Sequence, residues 1–160
     1  MTKVCSFSAV SDSILMWSHY ADNHRGFCLE YDVRNLGSDH PFRRFLYPVF
    51  YSELLYDLTP WAEKLVDPSR EDFNTHCLIL GVLHKFEGWR YENEWRLVEV
   101  TQSVIPDHDF QAPTPARIFL GSRMEGKRRE ELVAICDQKG IEVHQMRLDK
   151  DRFQLSSEKV

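Results

Sequence analysis

The feature that most constrains the fold of this chain is a run of alternating apolar and polar side chains between Phe27 and Val33. A period of two places successive side chains on opposite faces of a strand, so the run predicts a β-strand with one buried face. The apolar face comprises Phe27, Leu29, Tyr31 and Val33. The fold must therefore contain a sheet whose apolar face is covered by other elements.

Helical patterns alternate with further strand-like runs. Apolar residues recur at spacings of three and four within Ser11–Ala21, within 73–84 and within Glu125–Lys139. Asp67-Pro68-Ser69 is a start signal for the second of these helices, and Gly88 and Gly140 are the stop signals of the second and third. The other strand-like runs are Thr2–Ser8, Phe45–Tyr51, Glu94–Val100, Ala116–Gly121, Ile141–Leu148 and Phe153–Leu155. This mixture predicts an α+β fold, a single domain over residues 1–160 with a mixed or mostly antiparallel sheet of roughly five to seven strands and about three helices.

Charge and composition exclude some classes of protein. Lys and Arg number 20 against 25 Asp and Glu, a net charge of -5, which does not favour binding of nucleic acid through its phosphates. No apolar run approaches the roughly 20 residues that span a bilayer, so we expect no membrane contact. The four cysteines stand singly, which favours reduced thiols and predicts no metal site. We therefore expect a cytoplasmic protein.

Several motifs resemble those of a known family across nearly the whole chain. They are Cys5–Ser8, Met16–Asp22, Gly26–Cys28, Lys85, Trp89–Arg96 and Ile118–Gly121. Together they resemble the bacterial domain-of-unknown-function family two-nine-seven-one, whose name carries no function. Members of that family usually have a further N-terminal stretch, with an aromatic and basic strand and an Asn-Asp-Pro segment. We therefore expect that this segment is missing here or is supplied by another chain.

Two shorter motifs resemble those of ADP-ribosyltransferases. Ser6-Phe7-Ser8 matches a Ser-x-Ser at a strand start, and Glu92-Asn93-Glu94 matches a Glu-x-Glu near a later strand. In those enzymes the two motifs surround NAD. The resemblance implies a divergent transferase that uses NAD as substrate in a toxin or phage-defence setting, with a protein or nucleic-acid acceptor. Such enzymes also bring an Arg or His from a strand before the Ser-x-Ser, whereas only five residues precede Ser6 here.

The resemblance assigns roles to individual residues. Cleavage of the nicotinamide bond builds oxocarbenium character on the ribose, which a carboxylate stabilises, and Glu94 would be that carboxylate. Glu92 would orient or deprotonate the acceptor, and Ser6 or Ser8 would hold the ribose or brace Glu94. The remaining candidates are His19 as a catalytic group and Trp17, Tyr20 and Arg96 as substrate-binding residues.

Two other classes of function stay open. The first is a non-catalytic binding or regulatory module, in which Glu94 pairs with Arg96 on the same strand face, or with Lys85, as a structural ion pair. The second, less favoured, is a metal-dependent nuclease that uses His19, Glu92 and Glu94. Convergence of Ser8, Tyr20 and Glu94 on an open cleft would favour the enzyme, whereas burial of Glu94 against Arg96 would favour the binding module.

The middle of the chain is rich in aromatic residues and has two interpretations. A second core layer accounts for them, and so does an exposed surface for a partner. The residues are Phe42, Phe45, Tyr47, Phe50, Tyr51, Tyr56 and Trp61.

Overall fold

The computed structural model describes residues 2–61, 76–100 and 111–160. These residues form helices and mixed sheets, which confirms the predicted α+β class. The chain divides into two compact units built from interleaved segments. The first unit comprises Met1–Ala9 and Gly37–Gln111, and the second comprises Val10–Leu36 and Ala112–Val160. The single domain over 1–160 stays a prediction.

The described elements follow one another along the chain in a mixed order of strands and helices. The strands are β1 (Thr2–Ser8), β2 (Phe27–Glu30), β3 (Leu46–Pro48), β4 (Phe50–Ser52), β5 (His84–Phe86), β6 (Glu94–Val100), β7 (Arg117–Leu120), β8 (Glu142–Leu148) and β9 (Leu155–Lys159). The α-helices are α1 (Ile14–Tyr20), α2 (Pro41–Arg44), α3 (His76–Leu83) and α4 (Gly126–Lys139). Short 3-10 turns cover Val33–Asn35, Thr59–Trp61 and Glu87–Glu92.

The first unit contains an antiparallel sheet of strand order β1-β6-β3 and a small parallel pair, β4-β5. Strands β1 and β6 have the predicted bounds, and their register places Ser8 opposite Glu94 and Ser6 opposite Arg96. Each long strand has a β-rich sequence, which is why pattern alone found it.

Two elements of the first unit differ from the prediction. The single strand expected over Phe45–Tyr51 is divided into β3 and β4, which lie in separate sheets on either side of Val49. The helix expected to continue to Gly88 ends at Leu83, because the next three residues pair with β4 as strand β5. The start of that predicted helix, from its Asp67-Pro68-Ser69 signal to residue 75, lies outside the described residues.

The second unit is a mixed sheet of order β2-β7-β8-β9, covered on both faces. Alternate residues of β7 enter two different cores, so this central strand is buried on each side. One core contains Ile118, Leu120, Met124, Cys136 and Val143, and the other contains Trp17, Ala21, Phe119, Met146 and Leu155. Among the described residues, no helix has the length and apolar character needed to cross a membrane.

Two element ends in the second unit have local causes, and the last strand differs from its predicted start. Strand β2 stops at Glu30, earlier than predicted, because the Asp32 carboxylate caps the following 3-10 turn by accepting from the Arg34 N–H. Helix α4 ends where predicted, at Gly140, which has the left-handed φ of 65°. The last strand begins at Leu155 rather than Phe153.

The loop after α1 has a strained backbone. Asp22, Asn23 and His24 are consecutive non-glycine residues with positive φ values of 48°, 51° and 69°. The His24 ring is buried, and its Nε2 lies 3.1 Å from the Ser18 hydroxyl, which donates to the Ile14 carbonyl. Since the hydroxyl proton is used there, neutral His24 donates from Nε2, and its buried Nδ1 has no partner among the described residues.

This arrangement predicts that the protein loses stability in mild acid. Burial and, to a smaller extent, the charge of Arg123 lower the pKa of His24 from 6.5, so the folded state holds the ring neutral. The unfolded chain gains a proton as the pH falls through about 6.5, and the stability present above that pH is lost below it. We expect His24→Asn to flatten this dependence between pH 7 and 5, because asparagine tolerates a positive φ and does not titrate.

Chemical denaturation of the wild type and His24→Asn at several pH values measures the effect. The matched control is His19→Gln, which removes an exposed histidine from the same unit. Equal flattening in both variants would show that His24 is not the responsible group.

Candidate functional site

The two glutamates of the Glu-x-Glu motif lie on either side of a tight change of chain direction in the first unit. Glu92 ends a 3-10 turn, Asn93 has a left-handed φ of 44°, and Glu94 begins β6. Asparagine is one of the few residues that adopts this conformation readily. Both carboxylates are buried, with 3% of Glu92 and 5% of Glu94 exposed.

Two cations neutralise these carboxylates and form, with them, the charge cluster of Lys85, Glu92, Glu94 and Arg96. The Lys85 ammonium donates to Glu92 and, at 2.8 Å, to Glu94 Oε2. Arg96 donates from Nε to Glu94 Oε1 at 2.8 Å and from Nη2 to Glu94 Oε2 at 3.2 Å. The formal charges of the cluster sum to zero.

The two serines of the Ser-x-Ser motif brace the same segment from β1. The Ser8 hydroxyl donates to the Glu92 backbone carbonyl at 2.7 Å, and the Ser6 side chain hydrogen-bonds with the Glu94 carboxylate. The Tyr51 hydroxyl accepts from the Glu94 backbone N–H at 2.8 Å. The structure therefore brings together Ser6, Ser8, Glu92, Glu94 and Arg96, five of the eight predicted site residues.

The cluster fixes the protonation state of Glu94. Burial alone would raise the pKa of this carboxyl, but hydrogen bonds from Arg96, Lys85 and Ser6 outweigh burial and lower the pKa to about 2. Burial would likewise lower the pKa of Lys85, yet its bonds to Glu92 and Glu94 raise it. At neutral pH Glu94 is a carboxylate and Lys85 is an ammonium ion, so neither is poised for proton transfer.

The other three predicted site residues belong to the second unit. Trp17 is buried in one of the cores of this unit, and its Nε1–H donates to the Ser11 carbonyl at 2.7 Å. These surroundings are typical of a core residue rather than of a ring that stacks on a ligand. His19 and Tyr20 end helix α1 with exposed side chains whose rings lie 6.2 Å apart, edge to face. The substrate-binding roles of Trp17 and Tyr20 and the catalytic role of His19 stay predictions.

The described residues include no group of three or more His, Cys, Asp or Glu side chains arranged to hold a metal ion. The nuclease hypothesis required His19, Glu92 and Glu94 around one ion. In the first unit, the two carboxylates accept hydrogen bonds from Lys85 and Arg96. The geometry of the first unit therefore gives this hypothesis no support.

Sequence reasoning left Lys85 and Tyr51 out of the site. Lys85 was identified only as an alternative ion-pair partner of Glu94, although it stands among the family motifs. Its position on β5 brings its ammonium to both glutamates. Tyr51 was one of seven aromatic residues in the middle segment, and no spacing signal distinguished it.

The geometry defines an α+β protein with a buried, neutral ion-pair cluster braced by two serines. A family model described as Protein of unknown function (DUF2971) matches residues 16–97, just over half of the chain. The chain belongs to this family, which confirms the resemblance, although the motifs Cys5–Ser8 and Ile118–Gly121 lie outside the matched residues. No curated protein and no solved structure matches it.

Proposed function

We propose that this chain is a non-catalytic binding module, in which the charge cluster is a brace for a binding surface. The observation that supports the proposal is the burial of Glu94 against Arg96 and Lys85. Both oxygens of the carboxylate already accept hydrogen bonds from cations. A substrate would have to displace these cations before it met the carboxylate.

The charges around Glu94 also favour a non-catalytic role. A carboxylate stabilises an oxocarbenium ion by its negative field in a site that excludes water. Here Lys85 and Arg96 lie within hydrogen-bond distance of Glu94 and cancel most of that field. Glu92 is also paired with Lys85, so it is not available to deprotonate an acceptor. The arrangement suits structural support better than bond cleavage.

The brace connects several elements of the first unit. Lys85 comes from β5, Glu92 from the 3-10 turn, and Glu94 and Arg96 from β6, while Arg96 also donates to the Val82 carbonyl in α3. These contacts hold the short β4-β5 pair in place. That pair presents Phe50 and Phe86 with 49% and 57% of their surfaces exposed, as a surface that binds a partner would.

ADP-ribosyl transfer from NAD is the second candidate. It is favoured by the placement of Ser6 beside the Glu94 carboxylate and of Ser8 against the Glu92 backbone. The resemblance of the two motifs implies that Ser6 or Ser8 holds the ribose or braces Glu94. In this candidate, NAD binding would have to break the bonds of Lys85 and Arg96 to Glu94.

A measurement of NAD consumption separates the two candidates. We expect no release of nicotinamide that depends on Glu94, because its carboxylate is neutralised. The wild type, Glu94→Gln and Ser6→Ala are compared by chromatography of the products, with circular dichroism as a check of folding. Ser6→Ala is included because it removes one contact to Glu94 and leaves both ion pairs.

The opposite result would identify an enzyme. Time-dependent nicotinamide release by the wild type, reduced about 100-fold or more in a folded Glu94→Gln variant, would overturn the binding module. A parallel reduction in Ser6→Ala would assign the serine a positioning role. Equal background hydrolysis by all three proteins agrees with the proposal.

A further inference from the structure

A small pocket lies beside the charge cluster, entirely within the first unit. Its volume is about 110 Å³. The lining residues come from β4 and the chain after it, and from β5. They include Glu53, Leu54, Leu55, Tyr56, His84 and Lys85. Pockets for whole cofactors or drug-sized ligands are usually about 300 Å³ or more, so this one suits the end of a single side chain.

The polar and aromatic groups of the pocket suit a cation. Tyr56 and His84 both line the pocket, and their rings stack with 4.4 Å between centroids. His84 donates from Nδ1 to the Leu80 carbonyl at 2.7 Å, so in the neutral ring Nε2 is a hydrogen-bond acceptor. Glu53 also lines the pocket and brings a negative charge to this part of the unit. Aromatic faces and acceptors together are the groups that recognise an ammonium ion.

The lysine among the lining residues repels a cationic ligand only weakly. Lys85 is bonded to Glu92 and Glu94, which offset its charge. The sequence of the first unit contains 8 Lys and Arg against 13 Asp and Glu, so this unit carries the whole net charge of -5. A basic partner is therefore attracted to this unit at long range.

We propose that this pocket binds the ammonium end of a lysine side chain from a protein partner. The inference rests on the proposed function, because it names the ligand of the binding module. Leu54 and Leu55 stand at the pocket with 80% and 98% of their surfaces exposed. These two apolar side chains favour a protein segment over a free amine, because they offer contacts that a small cation cannot fill.

Titrations of the full chain, followed by NMR chemical shifts, test the ligand. The probes are the blocked peptide Gly-Leu-Lys-Leu-Gly, the same peptide with norleucine for lysine, and butylammonium ion. Norleucine has the lysine stem without the charge. We expect the lysine peptide to bind about tenfold more tightly than the norleucine peptide. We also expect it to bind more tightly than butylammonium, which lacks the leucines.

Variants locate the site. Glu53→Gln should weaken the lysine peptide about fivefold, and Tyr56→Leu about threefold, because one removes the carboxylate and the other an aromatic face. The matched control is Glu87→Gln, which removes a carboxylate paired with Arg90 outside the pocket and should leave the affinity unchanged. Equal weakening in Glu53→Gln and Glu87→Gln would overturn the location, since long-range charge alone would then explain binding.

The outcomes separate the ligand from the proposed function. Equal affinity for the lysine and norleucine peptides would overturn recognition of the ammonium group and leave the binding module standing. Equal affinity for butylammonium and the lysine peptide would overturn the inference that the lysine belongs to a protein partner. Absence of binding by all three probes would overturn the inference. The proposed function itself is contradicted only if the protein turns over NAD in a way that depends on Glu94, which is a separate measurement.

Discussion

Replacement of Glu94 by glutamine is expected to lower the free energy of unfolding by about 3 kcal/mol, because removal of one charge from a buried cluster leaves Arg96 without its carboxylate, while Lys85 keeps Glu92. Glu94 is 5% exposed and accepts from both Arg96 and Lys85. Glutamine has almost the same size, so the change measures charge rather than packing. Urea denaturation followed by circular dichroism gives the free energy of unfolding.

The matched control is the same substitution at an exposed pair. Glu87 and Arg90 are ion-paired with 34% and 63% of their side chains exposed, and Glu87→Gln should cost less than about 1 kcal/mol. Equal losses in the two variants would contradict the role of burial.

A double variant gives a second test of the ion pair between Glu94 and Arg96. In Glu94→Gln, Arg96 is left without a carboxylate at its Nε and Nη2 atoms. Replacement of Arg96 by methionine in that background removes the unpaired charge and keeps an apolar stem. We expect the double variant to lose less stability than the sum of the two single variants. Strict additivity would show that Glu94 and Arg96 act independently.

The pH dependence of this loss has a defined sign. The pKa of Glu94 is lowered from 4.5 to about 2 in the folded state. A lowered pKa of an acid contributes stability above the unfolded value of 4.5, and that contribution is lost as the pH falls towards 2. The unfolding free energies of the wild type and Glu94→Gln should therefore converge across this acid range. A constant difference down to pH 2 would contradict the assignment.

Elements with a strong local pattern could be predicted from the sequence. Strands β1 and β6 were predicted with their observed bounds, since each has a β-rich sequence over seven residues. Helix α4 was found within one residue because Gly140 ends it by a local conformation. The local chain determines these features, so no knowledge of the rest of the molecule was needed.

The division of Phe45–Tyr51 into two strands could not be predicted. The Val49 N–H donates to the Glu94 carbonyl at 3.0 Å, a contact between residues distant in sequence. Phe50 then begins a strand that pairs with β5 instead of β6. Pairing choices of this kind depend on tertiary contacts, which a propensity scale does not contain.

The candidate site was predictable only in part. The motif resemblance placed Ser6 and Ser8 near Glu92 and Glu94, and the β1-β6 register brings them there. The surroundings of those glutamates were not predictable, because Lys85 approaches from another strand. Two serines and two glutamates alone would fit a reactive site. Lys85 and Arg96 turn the same residues into a closed, neutral cluster, which changes the favoured function.

Replacement of Gly121 by alanine is expected to lower the free energy of unfolding by about 3 kcal/mol, since the added methyl group overfills a backbone contact. A Cβ atom at Gly121 would lie 2.1 Å from the His24 carbonyl oxygen and 2.8 Å from the Gly26 carbonyl oxygen. Both obstacles are backbone atoms, so no side-chain rotation relieves them. Urea denaturation of the variant measures the loss.

Hydrogen bonds hold the loop with these two carbonyls in place, so it cannot easily move away from an added methyl group. The His24 carbonyl accepts from the Arg123 N–H and the Gly26 carbonyl from the Gly121 N–H, each at 2.9 Å. Movement away from a new methyl group would break these bonds in a segment that already has a strained backbone. Gly37→Ala is the matched control, because nothing lies within 4 Å of its added Cβ, and it should change stability by less than about 0.5 kcal/mol. A Gly121→Ala variant as stable as the control would mean that the His24 loop does not approach β7 this closely.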